Sequence, residues 1–236
     1  MLSPESPQHT LTARSTWLGF QQLLPISLFV AAFGTAFGLA ATQMGLSNNN
    51  ILLMSAFVFA GASQFAVLEL WGTQVSIIPV LVTVFAINAR HLLMGATLYP
   101  WLKNLPPRQR YGSMLLVSDA NWAFALQAFN QGRTGFGLLL GGGIALWLFW
   151  SLGTWLGIYF GNVITDPKVL GLDMVMGCFL LSMVIGGEKN LRMLIIWLVA
   201  GCTSLGAYYF LPENTHVVVG ALAGGASGVL LAEARP

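Results

Sequence analysis

Charge is what this sequence has least of. Asp, Glu, Lys and Arg together make up 8% of its 236 residues, against roughly a quarter in a soluble globular domain. Too few charges exist to coat a water-facing shell, which excludes an ordinary soluble fold. A formal net charge of +2, with its charges scattered over connections, excludes a basic nucleic-acid-binding face. Cysteine is nearly absent: Cys178 and Cys202 stand alone inside apolar runs. They read as small buried hydrophobes, not as metal ligands. There is no H-E-x-x-H pattern and no P-loop, so neither a zincin site nor nucleotide hydrolysis is expected, and no cofactor is implied. Long polar stretches are missing too. The longest connection, Lys103–Ser113, is too short to hold a soluble domain.

Hydrophobic residues fill the space, at 56% of the chain and a mean hydropathy of +0.74. Runs such as Ile51–Trp71, Val75–Ala86 and Leu191–Leu211 recur throughout. A helix rising 1.5 Å per residue needs about 20 apolar residues to cross the hydrocarbon core. The alternation of a barrel strand is absent. The fold class is therefore all-α, a polytopic membrane protein of about eight segments, some of them broken or re-entrant. They are expected near 18–41, 51–71, 75–101, 114–130, 135–161, 169–186, 191–211 and 216–232. Residues 1–16 read as a polar tail and 17–233 as a single transmembrane transport domain. The apolar stretch before Ala40-Ala41 is too long for a signal peptide and reads as a retained first span.

Glycine is abundant, with 27 residues clustering at Gly141-Gly142-Gly143, Gly153/Gly157 and Gly224-Gly225, which suits close helix packing. Pro25 and Pro79 should kink or break their helices unless they fall in a first turn. Gly61-Ala62-Ser63 with Glu69 is weakly echoed by Gly225-Ala226-Ser227 with Glu233, a candidate internal repeat. Lys103, Arg108 and Arg110 form the densest basic loop, which the positive-inside rule places in the cytoplasm. Three full spans before it would put the N-terminus outside. A re-entrant segment among them would put it inside.

The informative residues are polar ones set in apolar runs, because a charge at mid-membrane costs at least ~2.5–3.5 kcal/mol and needs a partner or a wet cavity. Gly61, Ala62, Ser63 and Gln64 interrupt the second segment, and Asn88, Arg90 and His91 the third. Asp119 and Asn121 mark a short, polar fourth segment, while Glu69 and Asp173 lie near span ends. Asn88 and His91 share a helical face, with Arg90 pointing elsewhere. Arg90 stays protonated and requires a carboxylate, with Glu69, Asp119 and Asp173 as candidates. That pair either holds helices in register or serves transport. His91 either relays protons or is a hydrogen-bonded structural residue.

These parts sketch a solute site. A helix broken at Gly61-Ala62-Ser63 would aim free N–H groups at a carboxylate. Asp119 would hold an ammonium group or carry a coupling proton, and apolar neighbours would cover a side chain. A zwitterionic solute suits this chemistry, as do other small polar solutes. An intramembrane protease is the competing class. Gly225-Ala226-Ser227-Gly228 fits a G-x-S-G pattern, yet no His follows Ser227 and only His216 precedes it, at a span edge. Asp119 and Asp173 could form an aspartyl dyad, but the glycine-flanked signature is incomplete at Gly171-Leu172-Asp173. A scaffold subunit without transport activity is a third reading.

The polar islands also resemble a known family. Phe59-Ala60-Gly61-Ala62-Ser63-Gln64-Phe65 is similar to the aromatic-AGASQF signature of the AzlC family, the large subunit of bacterial branched-chain amino acid exporters. Arg90-His91-Leu92 with Gly95 resembles its R-H-x-x-x-G pattern. Trp150 with Gly153-Thr154 and Gly157 resembles W-x-x-G-T-x-x-G, and Gly171-Leu172-Asp173 its L-D-F element. The chain departs from the family at Ser118-Asp119-Ala120-Asn121-Trp122, where T-D-E-x-F is usual and Ala120 replaces the second acid. It departs again at Gly177, in place of a proline. The resemblance implies a two-subunit secondary exporter in the bacterial inner membrane. Its partner would be a small hydrophobic AzlD-like protein, and its driving force an ion gradient.

Overall fold

A computed structural model describes residues 11–71, 77–161, 190–211 and 215–233, all of them helical or connecting. Asp173, Cys178, Gly177 and the segment expected near 169–186 lie outside these residues. The helices are α1 (Ala13–Gln43), α2 (Asn48–Phe57), α3 (Gly61–Glu69), α4 (Ile77–Asn88), α5 (Arg90–Leu102), α6 (Pro107–Leu115), α7 (Asp119–Asn130), α8 (Phe136–Gly161), α9 (Leu191–Phe210) and α10 (Thr215–Glu233). Among the described residues, four stretches are long and apolar enough to cross a membrane: α1, Val80–Leu102, α8 and α9. The chain is a polytopic, all-helical membrane protein.

Helix α1 begins at Ala13 because Thr12 and Ser15 cap each other: Ser15 N donates to Thr12 Oγ1 and Thr12 N to Ser15 Oγ. It runs unbroken through Pro25, where a kink or break was expected. Pro79 is the third described residue of α4, and a first-turn position is one where its missing N–H costs nothing.

Helices α1 and α8 lie side by side and parallel. A Cβ added at Gly19 would overlap the Gly137 carbonyl, at Gly34 that of Trp150, and at Gly38 that of Thr154. Reciprocally, Gly141 faces the Thr16 carbonyl, Gly153 that of Ala31 and Gly157 that of Thr35. Residue numbers rise together along both helices. Glycine is needed at these positions because the two backbones touch, the packing mode of small residues in membranes.

The apolar segment over 51–71, where a helix break was expected at Gly61-Ala62-Ser63, is a hairpin of two half-helices with Gly61 opening the second. Ser55 Oγ bonds Thr154 Oγ1 at 2.8 Å, and Trp147 Nε1 donates to the Ala56 carbonyl at 2.9 Å, so α2 descends along α8 from its C-terminal end to its middle. The chain turns at Val58–Ala60, and α3 climbs back. Phe65 stacks on Phe33 and meets Phe37 edge-on, and Leu68 joins Ala41, Leu46, Ile51 and Ile158 in one core cluster. Ten residues of α2 rise about 15 Å, half of a ~30 Å hydrocarbon core.

Helices α4 and α5, separated by the single residue Ala89, cross in the opposite sense to α8. Asn88 meets Ser63 at the hairpin turn, while Leu98, Leu102 and Leu105 pack with Phe136 and Leu139 at the start of α8. A second hairpin enters from that end. A Cβ on Gly143 would meet the Leu116 carbonyl at 2.5 Å, one on Gly135 the Ala125 carbonyl at 2.6 Å, and Phe129 packs edge-on against Phe136. Helix α6 thus rises to mid-height and α7 returns. The segment expected over 114–130 is α7 with the end of α6, and it does not span.

One span followed by one half-membrane hairpin therefore occurs twice, as α1–α3 and as α4–α7, in opposite orientations. Inverted repeats of this kind build many secondary transporters. The Gly225-Ala226-Ser227 echo is no part of this repeat, since it lies inside continuous α10, whereas Gly61 opens α3.

The first hairpin bears on the topology question left open by the sequence. With α2–α3 re-entrant, Arg14, Lys103, Arg108, Arg110 and Arg133 all lie at one end. The described connections at the other end, after α1 and after α3, hold no Lys or Arg. The positive-inside rule puts the five basic residues and the N-terminal end of α1 in the cytoplasm. Helices α9 and α10 form an antiparallel pair, tied by Arg192 Nη2 donating to the Gly228 carbonyl at 2.6 Å. Cys202, read from the sequence as buried, is exposed on α9, because that helix buries little of its surface among the described residues.

Candidate functional site

The two hairpin turns approach mid-height of α8 from opposite sides, and a cavity of about 140 Å³ lies between them. The first hairpin lines it with Phe59, Ala60, Gly61 and Ala62, and the second with Ser118, Asp119 and Ala120. Helix α5 adds Arg90 and His91, α1 adds Ile26, Val30 and Phe33, and α8 adds Leu146 and Trp150. A cavity of about 150 Å³ accommodates benzene, so this one suits a small organic solute.

Both hairpin turns present helix N-termini to the cavity. Helix α3 starts after Ala60 without a side-chain cap, and its first intrahelical bond is Gln64 N to the Ala60 carbonyl at 2.9 Å. The N–H groups of Gly61 and Ala62 therefore lack intrahelical partners at the end where the dipole is positive. The turn holds Phe59 at φ +43°, a left-handed conformation costing about 1–2 kcal/mol for an L residue. Such strain is typical of turns fixed for function. Gly61 lies against the Trp150 ring, where a Cβ would stand 2.9 Å from Cη2.

Arg90 and Asp119 form the ion pair that the guanidinium required: Nη1 to Oδ2, 2.9 Å, each side chain about one-third exposed. Of the three candidate carboxylates, Asp119 makes this pair; the side chains of Glu69 and Asp173 are not among those described. Arg90 Nε is buried without an acceptor, so the guanidinium keeps donor capacity beyond the pair. Asp119 is the first residue of α7, where the helix dipole favours its charge.

Arg90 and His91 both line the cavity, contrary to the expectation that Arg90 points away from the polar face. The interruption at Ala89 explains the difference, because helical spacing across it no longer sets which faces coincide. His91 Nδ1 lies 3.1 Å from the Asn88 carbonyl. A carbonyl only accepts, so that bond requires the proton on Nδ1.

The remaining candidates stand behind the cavity. Asn88 Nδ2 donates to Ser63 Oγ at 3.2 Å, and Ser63 Oγ donates to the Ala60 carbonyl at 2.9 Å, tying α4 to the turn of the first hairpin. Gln64 is buried, with Nε2 3.5 Å from Ser55 Oγ across that hairpin and Oε1 unpartnered. Asn121 is fully buried. Its Oδ1 accepts from Ser118 N and Ser118 Oγ, and its Nδ2 donates to the carbonyls of Leu116 and Leu139, both at 2.8 Å. All four of its hydrogen-bonding positions are used in holding the second turn against α8. Sequence reasoning placed none of Phe59, Ser118, Ala120 and Trp150 among the site candidates. All four stand in the stretches that carry the family resemblance, which could have signalled them: Phe59 in the AGASQF signature, Trp150 in W-x-x-G-T-x-x-G, and Ser118 and Ala120 beside Asp119.

For the protease alternative, Ser227 Oγ donates to the Gly224 carbonyl and His216 packs against Tyr208. The two lie about three turns, roughly 16 Å, apart along α10. No described base reaches Ser227.

Spans, paired inverted hairpins and a solute-sized cavity at mid-height define a polytopic membrane protein built like a transporter. The chain belongs to the AzlC family, whose model, described as "AzlC protein", matches residues 25–164. It is 30% identical over 174 residues to the inner membrane protein YgaZ of Escherichia coli K12, covering 69% of this chain and 67% of that protein. It is 27% identical to an uncharacterized membrane protein of Helicobacter pylori 26695, covering 52% and 60%. It is also 29% identical to an uncharacterized membrane protein of Archaeoglobus fulgidus, covering 62% and 63%. No solved structure matches. Placement in the inner membrane agrees with the spanning helices and with the E. coli relative.

Proposed function

We propose that this chain is the membrane subunit of a secondary exporter of amino acids, the branched-chain ones valine, leucine and isoleucine. It would work with a small hydrophobic AzlD-like partner and an ion gradient. The observation that carries the reading is the meeting of two opposed half-membrane hairpins at one cavity with an ion pair in its wall. Free N–H groups at the start of α3 and the spare donors of Arg90 suit a carboxylate. Asp119 suits an ammonium group. Ile26, Val30, Phe33, Leu146 and Trp150 suit an aliphatic side chain. Opposed hairpins in inverted repeats are also the parts that alternating access requires. Another small metabolite on the same scaffold is the second reading. It is favoured by Ala120, which brings a methyl group to the cavity where the family usually has an acid.

Counterflow of labelled valine, leucine and isoleucine into proteoliposomes, with and without the small partner, tests the proposal. Uptake of these substrates above that of control vesicles is expected when both proteins are present. No counterflow of any amino acid by the assembled complex would remove the reading.

A further inference from the structure

A second cavity, of about 310 Å³, lies between α5 and α6 near the basic end, lined by Gly95, Tyr99, Leu102, Arg110, Tyr111 and Met114. It is separate from the solute cavity and shares no residue with it. Helix α5 turns Met94, Leu98 and Leu102 inward to the core, whereas Tyr99 is exposed, as are Tyr111 and Leu115 on α6. The cleft therefore opens to the outer surface of the helices and not towards the solute cavity. Its height is that of the headgroups, just where the span Val80–Leu102 ends.

Charge identifies the occupant. Residues 92–118 contain Lys103, Arg108 and Arg110 and no Asp or Glu. The nearest acid in sequence, Asp119, is engaged by Arg90. Arg110 is half-buried in the cleft, has no carboxylate partner among the described residues, and lies against the Tyr111 ring with Cζ 5.0 Å from its centroid. Held guanidinium donors, two tyrosine side chains and an apolar floor of Leu102 and Met114 match a phosphate headgroup joined to acyl chains. The cytoplasmic leaflet, where the topology places this end, is the anionic one.

We propose that the α5–α6 cleft holds the phosphate headgroup of an anionic phospholipid of the cytoplasmic leaflet, with Arg110 as its principal contact. The inference is independent of the transported substrate.

Native mass spectrometry of the full chain, extracted into mild detergent with equal phosphatidylglycerol and phosphatidylcholine of matched acyl chains, tests it. Phosphatidylglycerol should be retained in preference. Arg110→Gln should weaken retention by about fivefold, the factor equivalent to ~1 kcal/mol per basic residue at an anionic surface. Arg133→Gln, at the same end but in the α7–α8 connection, should leave retention unchanged. Gly95→Leu keeps every charge and fills the cleft, so it should also release the lipid, and it provides the test if Arg110→Gln does not fold. Equal retention of the two lipids by the unaltered protein, or an Arg110→Gln variant that retains phosphatidylglycerol as well as the unaltered protein does, would overturn the proposal. Displacement of the lipid by millimolar inorganic phosphate would assign the cleft to a free anion instead, and a protein partner displacing it would make the cleft a subunit interface. Either result overturns the lipid assignment.

Discussion

Arg90 Nη1 and Asp119 Oδ2 stand 2.9 Å apart, joining the start of α5 to the first residue of α7 across the wall of the solute cavity. The pair links the only span of the second repeat to that repeat's hairpin. Each side chain remains about one-third exposed, so neither charge is sealed away from a solute.

Replacing Asp119 separates a binding role from a purely structural one. Asp119→Asn keeps shape and hydrogen bonding but removes the charge that would hold an ammonium group. Counterflow should fall about tenfold or more, the factor expected when a hydrogen bond to a charged partner, worth ~1.5–3 kcal/mol, is lost. The protein should still purify as a folded, assembled species. Arg90→Ala should instead reduce the amount of folded protein, by leaving Asp119 uncompensated. Unchanged export by Asp119→Asn, with an unchanged pH profile, would assign the pair to structure alone.

The sequence made part of this site legible. A guanidinium in an apolar run demands an anion, which led to Asp119 among three candidates. The polar island at Gly61-Ala62-Ser63-Gln64 marked a break for the same reason. The hairpins were less visible, because a window of about 20 apolar residues reads alike whether it is one span or two half-helices back to back. Asn121 looked like a site residue since polarity alone does not distinguish a side chain facing solute from one saturating backbone groups. Trp150 and Phe59, marked only by the motifs they open, gave no signal as site residues through hydropathy for the opposite reason. An aromatic inside an apolar run carries no mark of the cavity it faces, and a positive φ leaves no trace in composition.

Asn121 gives a stability prediction. Its two Nδ2 donors serve the Leu116 and Leu139 carbonyls, and a carboxylate in its place can only accept. Asn121→Asp leaves both carbonyls unmatched at a cost of about 1–3 kcal/mol each. The melting temperature of the detergent-solubilised protein should fall clearly. A melting temperature equal to that of the unaltered protein would mean that the second turn is held by other contacts.

The first hairpin is tested by bulk. Ala62→Leu places a larger side chain in the cavity wall, and Gly61→Ala sets a Cβ 2.9 Å from the Trp150 ring, which Phe33 and Phe37 brace. Ala62→Leu should abolish counterflow while the protein still inserts, and Gly61→Ala should lower it. Normal export by Ala62→Leu would show that the signature does not face the transported solute.

Topology is open to labelling of single cysteines in a background lacking Cys178 and Cys202. Asn49→Cys and Trp71→Cys bracket the first hairpin and should react with an impermeant maleimide from the same, periplasmic face. Lys103→Cys and Gln131→Cys bracket the second hairpin and should react only when the cytoplasmic face is opened. Asn49 and Trp71 labelling from opposite faces would convert α2–α3 into a full span and reverse the placement of the N-terminus.

Substrate size provides the last prediction, which bears on the apolar wall and not on the charges. Ile26 lines the solute cavity from α1 and is only half-buried, so shortening it costs less packing than truncating Leu146, which is fully enclosed. Ile26→Ala enlarges a cavity of about 140 Å³ without altering Arg90 or Asp119. The carboxylate and ammonium contacts stay in place while the space for a side chain grows. In competition counterflow the variant should move from leucine towards phenylalanine. A methylene in an apolar pocket is worth ~1–3 kcal/mol, so a shift of about tenfold in the ratio of the two is expected. Ile26→Trp should do the reverse, admitting alanine while excluding leucine. The two variants together control for general damage, since a merely weakened protein would lose all substrates in proportion. If both retain the preference of the unaltered protein, the side chain of the solute does not lie against α1, and the cavity described here is not where selection occurs.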